Sequence, residues 1–257
     1  SDVNSSFFSK VGDDELSNQM LKFMSDNQVD TQYIKKITGS TIGLYLISLA
    51  NGERTFSYWR NNSAATFLGQ NSNDVELAMK NQDMIYFSGI TLAILDSWSR
   101  KTLFSCLRLA RRAGKKIAFD PNLRPKLWSD KKEMRDVIMA GAKLSDIILP
   151  SFEDEATWFS DADPISTLNR YQNVGAETVI VKNAGEPISF FSQQGIGTFP
   201  IDPVGKLIDS TAAGDSFNSE ILVGLLRKIP LTEAINNGAH LAKKVIMGQG
   251  ALVKSNV

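Results

Sequence analysis

The residues best suited to chemistry in this chain are gathered in Asp209-Ser210-Thr211-Ala212-Ala213-Gly214-Asp215-Ser216-Phe217-Asn218. Small residues lead into a carboxylate, and Phe217, Ile221, Leu222, Leu225 and Leu226 then recur at the spacing of one helical face. The pattern predicts a tight loop that opens a helix near Ala212. Unpaired backbone N–H groups and the positive end of the helix dipole suit a phosphate there. Asp215 falls in the first turn, where a negative charge is favoured. Amides that receive developing phosphate charge, beside a carboxylate that takes a proton, are what transfer of a phosphate to an alcohol requires. The same residues also read as a helix-start acid preceded by a turn glycine, so other parts of the chain must decide.

Composition removes several alternatives. The chain has 257 residues, 42% hydrophobic and 22% charged, enough for one large α/β domain or two modest ones. Lys+Arg and Asp+Glu balance at 28 each, so no basic face for nucleic acid is implied. No apolar run approaches the roughly 18 residues of a membrane span. One cysteine, Cys106, leaves no intrachain disulfide and no cysteine-based metal cluster, and it reads as a packed, inert thiol of a reducing cytosol. The single histidine, His240, excludes a multi-histidine metal site. Its neighbours Ala239, Leu241 and Ala242 make it a helix-packing residue. Chemistry must therefore run on carboxylates, Arg, Lys and backbone amides. Ser1 to Phe8 has neither a Met nor a targeting pattern and reads like the middle of a protein, so an upstream segment is expected.

The elements that must position the loop alternate along the chain. Asp13 or Asp14 caps a helix with Leu16, Met20, Leu21 and Met24 on one face. Thr41–Leu49 and Arg54–Arg60 flank Asn51-Gly52 and form a hairpin, which puts Arg54, Phe56, Tyr58 and Arg60 on one face. Tyr58 beside Arg60 can stack on and hydrogen-bond an anionic, hydroxylated ligand, or can simply be a solvent-facing cross-strand aromatic. Strands follow at Met84–Phe87, Lys115–Phe119, Asp146–Leu149, Thr178–Lys182 and Ile188–Phe191. Helices lie between them, capped at Asp96 or Ser97, at Ser129 or Asp130, at Ser151 with Asp154 in a capping box, and at Asp163-Pro164. A last helix runs from about Thr232 to Met247. The alternation gives parallel βαβ units, an α/β fold with a parallel-rich central sheet flanked by helices and a small hairpin lid at about 40–62. Asp120-Pro121-Asn122-Leu123-Arg124-Pro125 ends one strand in polar residues, as the edge of a site does in a parallel sheet, and Pro125 keeps Arg124 out of helical geometry.

With these residues in view, the chain resembles the ribokinase-like (PfkB) sugar kinases over essentially its whole length, and among them the 2-keto-3-deoxygluconate kinases. Asp209–Phe217 is similar to the family's D-T-x-A-A-G-D-S-F stretch. Gly43-Leu44-Tyr45-Leu46, Tyr58-Trp59-Arg60, Asp120–Pro125 with Leu127-Trp128, and Leu149-Pro150-Ser151-Phe152 carry the narrower likeness. The resemblance implies a single ribokinase-like α/β domain over 1–257 that moves the γ-phosphate of ATP to a sugar hydroxyl with Mg²⁺ present. It implies Asp215 as the base and Ala212, Ala213 and Gly214 as the anion hole. It places Lys182 and Gly185 in the nucleotide turn Lys182–Pro187 and Asn122 near the transferring group. Tyr45, Tyr58 and Arg60 would hold a sugar acid from the lid, and Arg124 would serve the acceptor or the phosphate. His240 would fall in the helix that borders the adenine. A homo-oligomer, a dimer or higher, is implied by lid hairpins that pair between subunits.

Two arginines suit a substrate with a carboxylate, because guanidinium binds it bidentately. That favours a sugar acid, 2-keto-3-deoxygluconate converted to its 6-phosphate, over fructose, ribose or a nucleoside. An intact Gly214-Asp215 pair argues against a non-catalytic sugar-binding relative. Where the family pattern has N-x-x-E, this chain has Ser151-Phe152-Glu153-Asp154; Asp154 is a candidate metal-water ligand and equally a helix-start acid. The nucleotide turn departs from K-x-G-x-x-G at two glycines, and the family's first Gly-Gly signature does not occur in this chain.

Overall fold

The computed structural model describes residues 3–50, 53–60, 63–202 and 207–253, without the side chains of 47–50, 53–56 and 58. In chain order the elements are β1 (Ser5–Ser6), β2 (Ser9–Val11), α1 (Glu15–Asp26), β3 (Val29–Asp30), β4 (Ile34–Lys36), β5 (Leu44–Ala50), β6 (Glu53–Trp59), α2 (Ser72–Lys80) and β7 (Met84–Ser88). They continue with α3 (Gly89–Ile94), α4 (Ser97–Arg112), β8 (Lys116–Asp120), α5 (Lys131–Ala142), β9 (Ile147–Ile148), α6 (Phe152–Phe159) and α7 (Pro164–Gln172). Then come β10 (Thr178–Val181), β11 (Ile188–Ser192), β12 (Gly195–Phe199), α8 (Ala213–Leu226) and α9 (Leu231–Ile246). Two compact units divide them: Ser1–Asp83 with Thr91–Lys115, and Met84–Ile90 with Lys116–Val257. No helix among the described residues is long and apolar enough to cross a membrane.

Short aspartate side chains start four helices. Asp14, Asp96, Asp130 and Asp163 each accept the N–H three residues on, at 2.6 to 2.8 Å. Each such cap is worth about 1 kcal/mol. The capping box expected at Ser151 does not form: Ser151 makes no side-chain cap. The start of α6 is set by β-pairing instead, with Phe152 N–H donating to the Lys182 carbonyl and Lys182 N–H to that of Pro150. Tertiary pairing thus displaces a local motif.

In the first unit, β5 and β6 pair antiparallel, with Tyr45 opposite Tyr58 and Leu44 opposite Trp59. The Asn51-Gly52 turn lies outside the described residues. Leu103, Leu107 and Ala110 of α4 are buried as their spacing requires, and so is Cys106, whose thiol is pushed up by burial. Helix α1 departs from expectation: Leu16 and Phe23 are 46% and 48% exposed, and Ser17 is its buried residue. Its apolar spacing is present, but little of this unit covers it.

The second unit carries a six-stranded sheet in the order β12-β11-β10-β9-β8-β7. Strands β7 to β10 run parallel, and β11 and β12 close one edge antiparallel. The α/β alternation required the parallel part; β12 was not evident in the Gly-rich sequence at 195–199. Ala118, Leu149 and Ile180 of the sheet region pack with Phe217, Ile221, Ala234 and Ile235, so α8 and α9 cover one face. The helices approach closely because Gly238 faces the Phe217 ring and Gly224 faces Ala234, where an added Cβ would lie 2.9 and 2.7 Å away. A Cβ on Gly89, where β7 ends, would stand 1.7 Å from the Pro121 carbonyl oxygen. Gly89 therefore sets how near β7 comes to the loop after β8. Gly89→Ala is expected to destabilise the protein by about 2–3 kcal/mol, lowering the melting temperature by roughly 5–10 °C. An unchanged melting curve would refute the contact.

Helices α6 and α7 share a buried ion cluster. Arg170 bonds Glu155 Oε2 at 2.6 Å and Asp161 Oδ2 at 2.6 Å, and Tyr171 donates to Glu155 Oε1 at 3.0 Å. Burial pushes the Glu155 carboxyl up to about 7, against the pull of Arg170 and Tyr171; one guanidinium serves two carboxylates. The folded value lies above the ordinary 4.5, so the folded state binds the extra proton between them. This contribution is present below pH 4.5 and lost as pH rises through about 7. Glu155→Gln should flatten the fall of unfolding free energy between pH 5 and 8, a difference of up to about 3 kcal/mol. Denaturant titrations of both proteins test this, and parallel slopes would refute it.

Candidate active site

Helix α8 starts without a cap. Ala212 stands at its N-cap in the left-handed region (φ 63°), and no side chain caps the turn. Ser216 N–H reaches the Ala212 carbonyl at 2.9 Å and Ala213 N–H reaches Ser210 at 3.3 Å. Among the described residues, the Gly214 and Asp215 amides have no acceptor. The loop is held from behind. Asp209, 7% exposed, accepts from Thr211 N–H and Oγ1 on one oxygen and from Gly250 N–H on the other. The first turn of α8 is therefore fixed while its donors stay open, as an anion site requires.

Ala213 and Gly214 line a cavity of about 910 Å³, together with Arg124, Asp154, Lys182 and Gly185. Apolar groups of Ile188, Phe199, Phe217 and Ile246 complete much of it. Convergent donors and an apolar wall suit a ligand with phosphates and a flat base. Asp215 is exposed and is not part of that lining. Its carboxylate instead acts on the Tyr86 hydroxyl, which is held above its usual range by burial first, then by Asp120, with a smaller part from Asp215. The open Gly214 amide thus borders the cavity, and Asp215 stands outside its lining, on the Tyr86 side.

Behind the amides lies a buried polar network. Lys182 Nζ donates to Asn218 Oδ1 at 3.1 Å and pairs with Asp120 Oδ2 at 3.2 Å. Asn218 Nδ2 donates to Asp120 Oδ2 at 2.7 Å and to the Tyr86 hydroxyl at 3.3 Å. Asp120 Oδ1 accepts the Asn122 N–H at 3.2 Å, which bends the chain after β8. Asn122 and Arg124 are both left-handed, with φ 30° and 43°. Pro125 does exclude right-handed helix from Arg124, as expected. The turn after β10 has Ala184 and Gly185 at φ 45° and 93° and closes with Glu186 N–H on the Asn183 carbonyl. Positive φ at both central residues is what a tight β10–β11 connection needs. Burial raises the Asp154 carboxyl, offset in part by Arg124 and by the Leu123 N–H.

Sequence reasoning thus found residues that the second unit brings to one cavity: Arg124, Asp154, Lys182, Gly185, Ala213 and Gly214. Ala212 turns the adjoining loop into α8; Asn122 is tied to Asp120 and does not line the cavity. Tyr45 and Arg60 belong to the hairpin of the first unit, Tyr45 with 48% exposure, and the Tyr58 side chain lies outside the described residues. His240 corrects its expectation: it does not pack into the core but is exposed on α9, bonds the Asn236 carbonyl at 3.0 Å and lines the cavity. Asn218 and Tyr86 were missed. Asn218 lies one helical turn beyond Gly214, and Tyr86 interrupts the apolar run of β7; both signals were present in the sequence.

Comparison with known proteins gives the family and the fold. The pfkB family carbohydrate kinase profile matches residues 2–256. The 2-dehydro-3-deoxygluconokinase of Haemophilus influenzae is 37% identical over 253 residues, which is 96% of this chain and 80% of that protein. The enzyme of the same name from Escherichia coli K12 is 34% identical over 96% of this chain and 82% of its own. The crystal structure of a PfkB protein from Polaromonas sp. JS666 superposes with a TM-score of 0.85 at 25% identity, covering 96% of this chain and 81% of that one.

Proposed function

Because this chain belongs to the pfkB family of carbohydrate kinases, we propose that it phosphorylates 2-keto-3-deoxygluconate with ATP, giving the 6-phosphate and ADP. The observation that carries the reading is the uncapped start of α8, where Gly214, with an open amide, lines a cavity and Asp215 follows immediately outside that lining. The names of relatives at 34–37% identity supply the acceptor.

In this mechanism the acceptor hydroxyl oxygen attacks the γ-phosphorus, its proton passes to Asp215, and the bond to the β-phosphate oxygen breaks. The Gly214 and Asp215 amides, with Ala212 and Ala213 shaping the loop, receive the charge that develops on the transferring group. Lys182 and Gly185 take the nucleotide side, and the apolar wall takes the base. Asn122 holds the loop from which Arg124 reaches the phosphate or the acceptor. Tyr45, Tyr58 and Arg60 recognise the sugar acid, Arg60 through its carboxylate. Among the described residues, no group of three or more His, Cys, Asp or Glu could hold a metal ion. A nucleotide-bound Mg²⁺ needs no such cage, since phosphates and water fill most of its shell. Asp154, a cavity carboxylate, is the residue that would contact it, and the ion would neutralise phosphate charge. The exposed Leu44, Leu46 and Trp59 of the hairpin would serve pairing between subunits.

A panel of sugars and sugar acids with ATP and Mg²⁺ tests the acceptor; turnover confined to neutral sugars would refute it. Asp215→Asn should lower kcat by about 10³-fold and leave ATP affinity within about twofold, because the carboxylate acts on the acceptor. Substantial turnover in that variant would remove Asp215 from the base role. Arg60→Ala should raise KM for the sugar acid by at least about tenfold, with KM for ATP little changed. Equal effects on both would place Arg60 outside the acceptor site.

A further inference from the structure

Gly214 has no structural reason to be glycine. It lies in α8 with an ordinary helical backbone, and it is not among the positive-φ glycines. Among the described residues, a Cβ added there would meet just one group within 4 Å, the Lys182 Nζ at 3.7 Å, an ordinary van der Waals distance. Elsewhere in this unit a Cβ on Gly89, Gly224 or Gly238 would collide with its neighbours. Glycine in a helix is unfavourable relative to alanine, and here neither backbone nor packing demands it. What it preserves is open space in front of an ammonium.

That ammonium is placed with care. The Lys182 side chain is 12% exposed. Two of its three N–H groups are committed to Asp120 and Asn218 among the described residues, and Lys182 is one of the residues that line the cavity. The Asn218 side chain is filled on both ends: its oxygen takes Lys182, and its nitrogen binds Asp120 and Tyr86. An amide so fixed cannot turn, so the lysine it holds cannot swing away.

We propose that Lys182 binds the terminal phosphoryl group through its third N–H across the gap left by Gly214, and that Asp120 and Asn218 are positioning residues for that contact. The assignment rests on the kinase reading above and deepens it: the ammonium and the α8 amides close on the same phosphate oxygens from two sides. Lys182 then discriminates a triphosphate from a diphosphate. A charge-assisted hydrogen bond is made to the group that is transferred and lost once it leaves.

Calorimetric binding of β,γ-imido-ATP and of ADP, each with Mg²⁺ and without sugar, tests this. Lys182→Met should weaken the triphosphate analogue at least about tenfold more than ADP. Asn218→Ala should move the same ratio in the same direction by a smaller factor, with ADP affinity little changed. Gly214→Ala should raise the melting temperature, as alanine does in a helix, and still lose affinity for the analogue. Equal weakening of both nucleotides by Lys182→Met, or a lowered melting temperature in Gly214→Ala, would overturn the proposal. No acceptor enters these measurements, so a wrong sugar assignment would appear separately, as absent turnover with intact nucleotide discrimination.

Discussion

One lysine, held between a carboxylate and an amide, ties together the parts of the second unit that make its site. Lys182 follows β10, Asp120 ends β8, Tyr86 is on β7 and Asn218 is one turn into α8. A buried ion pair is weak evidence for net stability, because desolvation cancels much of the attraction, but removing one partner leaves a buried charge and costs about 3–5 kcal/mol. The network therefore acts as a register device. Phe217 and Ile221 attach α8 to the sheet through apolar contact that tolerates sliding. The polar bonds, between 2.7 and 3.3 Å, do not. They set the first turn of α8 at a fixed height over the strand ends.

Backbone strain is distributed in the same sense. Seven described non-glycine residues have positive φ. Gln28, Ser160 and Lys228 lie just after α1, α6 and α8, where a left-handed residue commonly ends a helix. The other four, Asn122, Arg124, Ala184 and Ala212, lie in the three loops beside the cavity. Each costs on the order of 1–2 kcal/mol, and none is a helix stop. The strain persists because surrounding contacts over-determine it. Asp120 holds Asn122, Asp209 holds the loop before Ala212, and the β10–β11 pairing holds Ala184. Ala212 shows the use of this: its left-handed turn brings the chain into α8 with no side chain capping the amides.

Legibility in the sequence followed locality. The four aspartate caps could be read because a cap needs only a short side chain and a following turn. The parallel strands could be read from apolar runs between helical patterns. Ser151 misled because the capping box is a local preference and the bridge to Lys182 is a tertiary one. His240 misled because small neighbours on α9 face the cavity as well as the core. Of the cavity residues, Gly214 was legible as part of a motif. Asn218 was not, because an asparagine inside an apolar helix face acquires meaning only when Asp120 and Lys182, 98 and 36 residues away, are brought to it.

The two buried ion clusters show what separates a structural charge from a functional one. Arg170 spends most of its donors inside the protein: Nε and one terminal nitrogen reach Asp161, that nitrogen also reaches Glu155, and the other reaches the Met139 sulfur. The rings of Phe159 and Tyr171 lie against its guanidinium, 3.9 and 4.4 Å away. None of Arg170, Glu155, Asp161 and Tyr171 lines the cavity, so the cluster clamps α6 to α7. Lys182 has the same kind of partners, yet one donor and the space before it stay open. Burial and pairing are common to both and do not identify function. Unspent hydrogen-bonding capacity facing a cavity does. Helix α6 joins the two clusters, beginning where its backbone bonds that of Lys182 and carrying Glu155 in its first turn. The Arg170 cluster thus holds the element that borders Lys182, and rigidity in the first is what allows reach in the second.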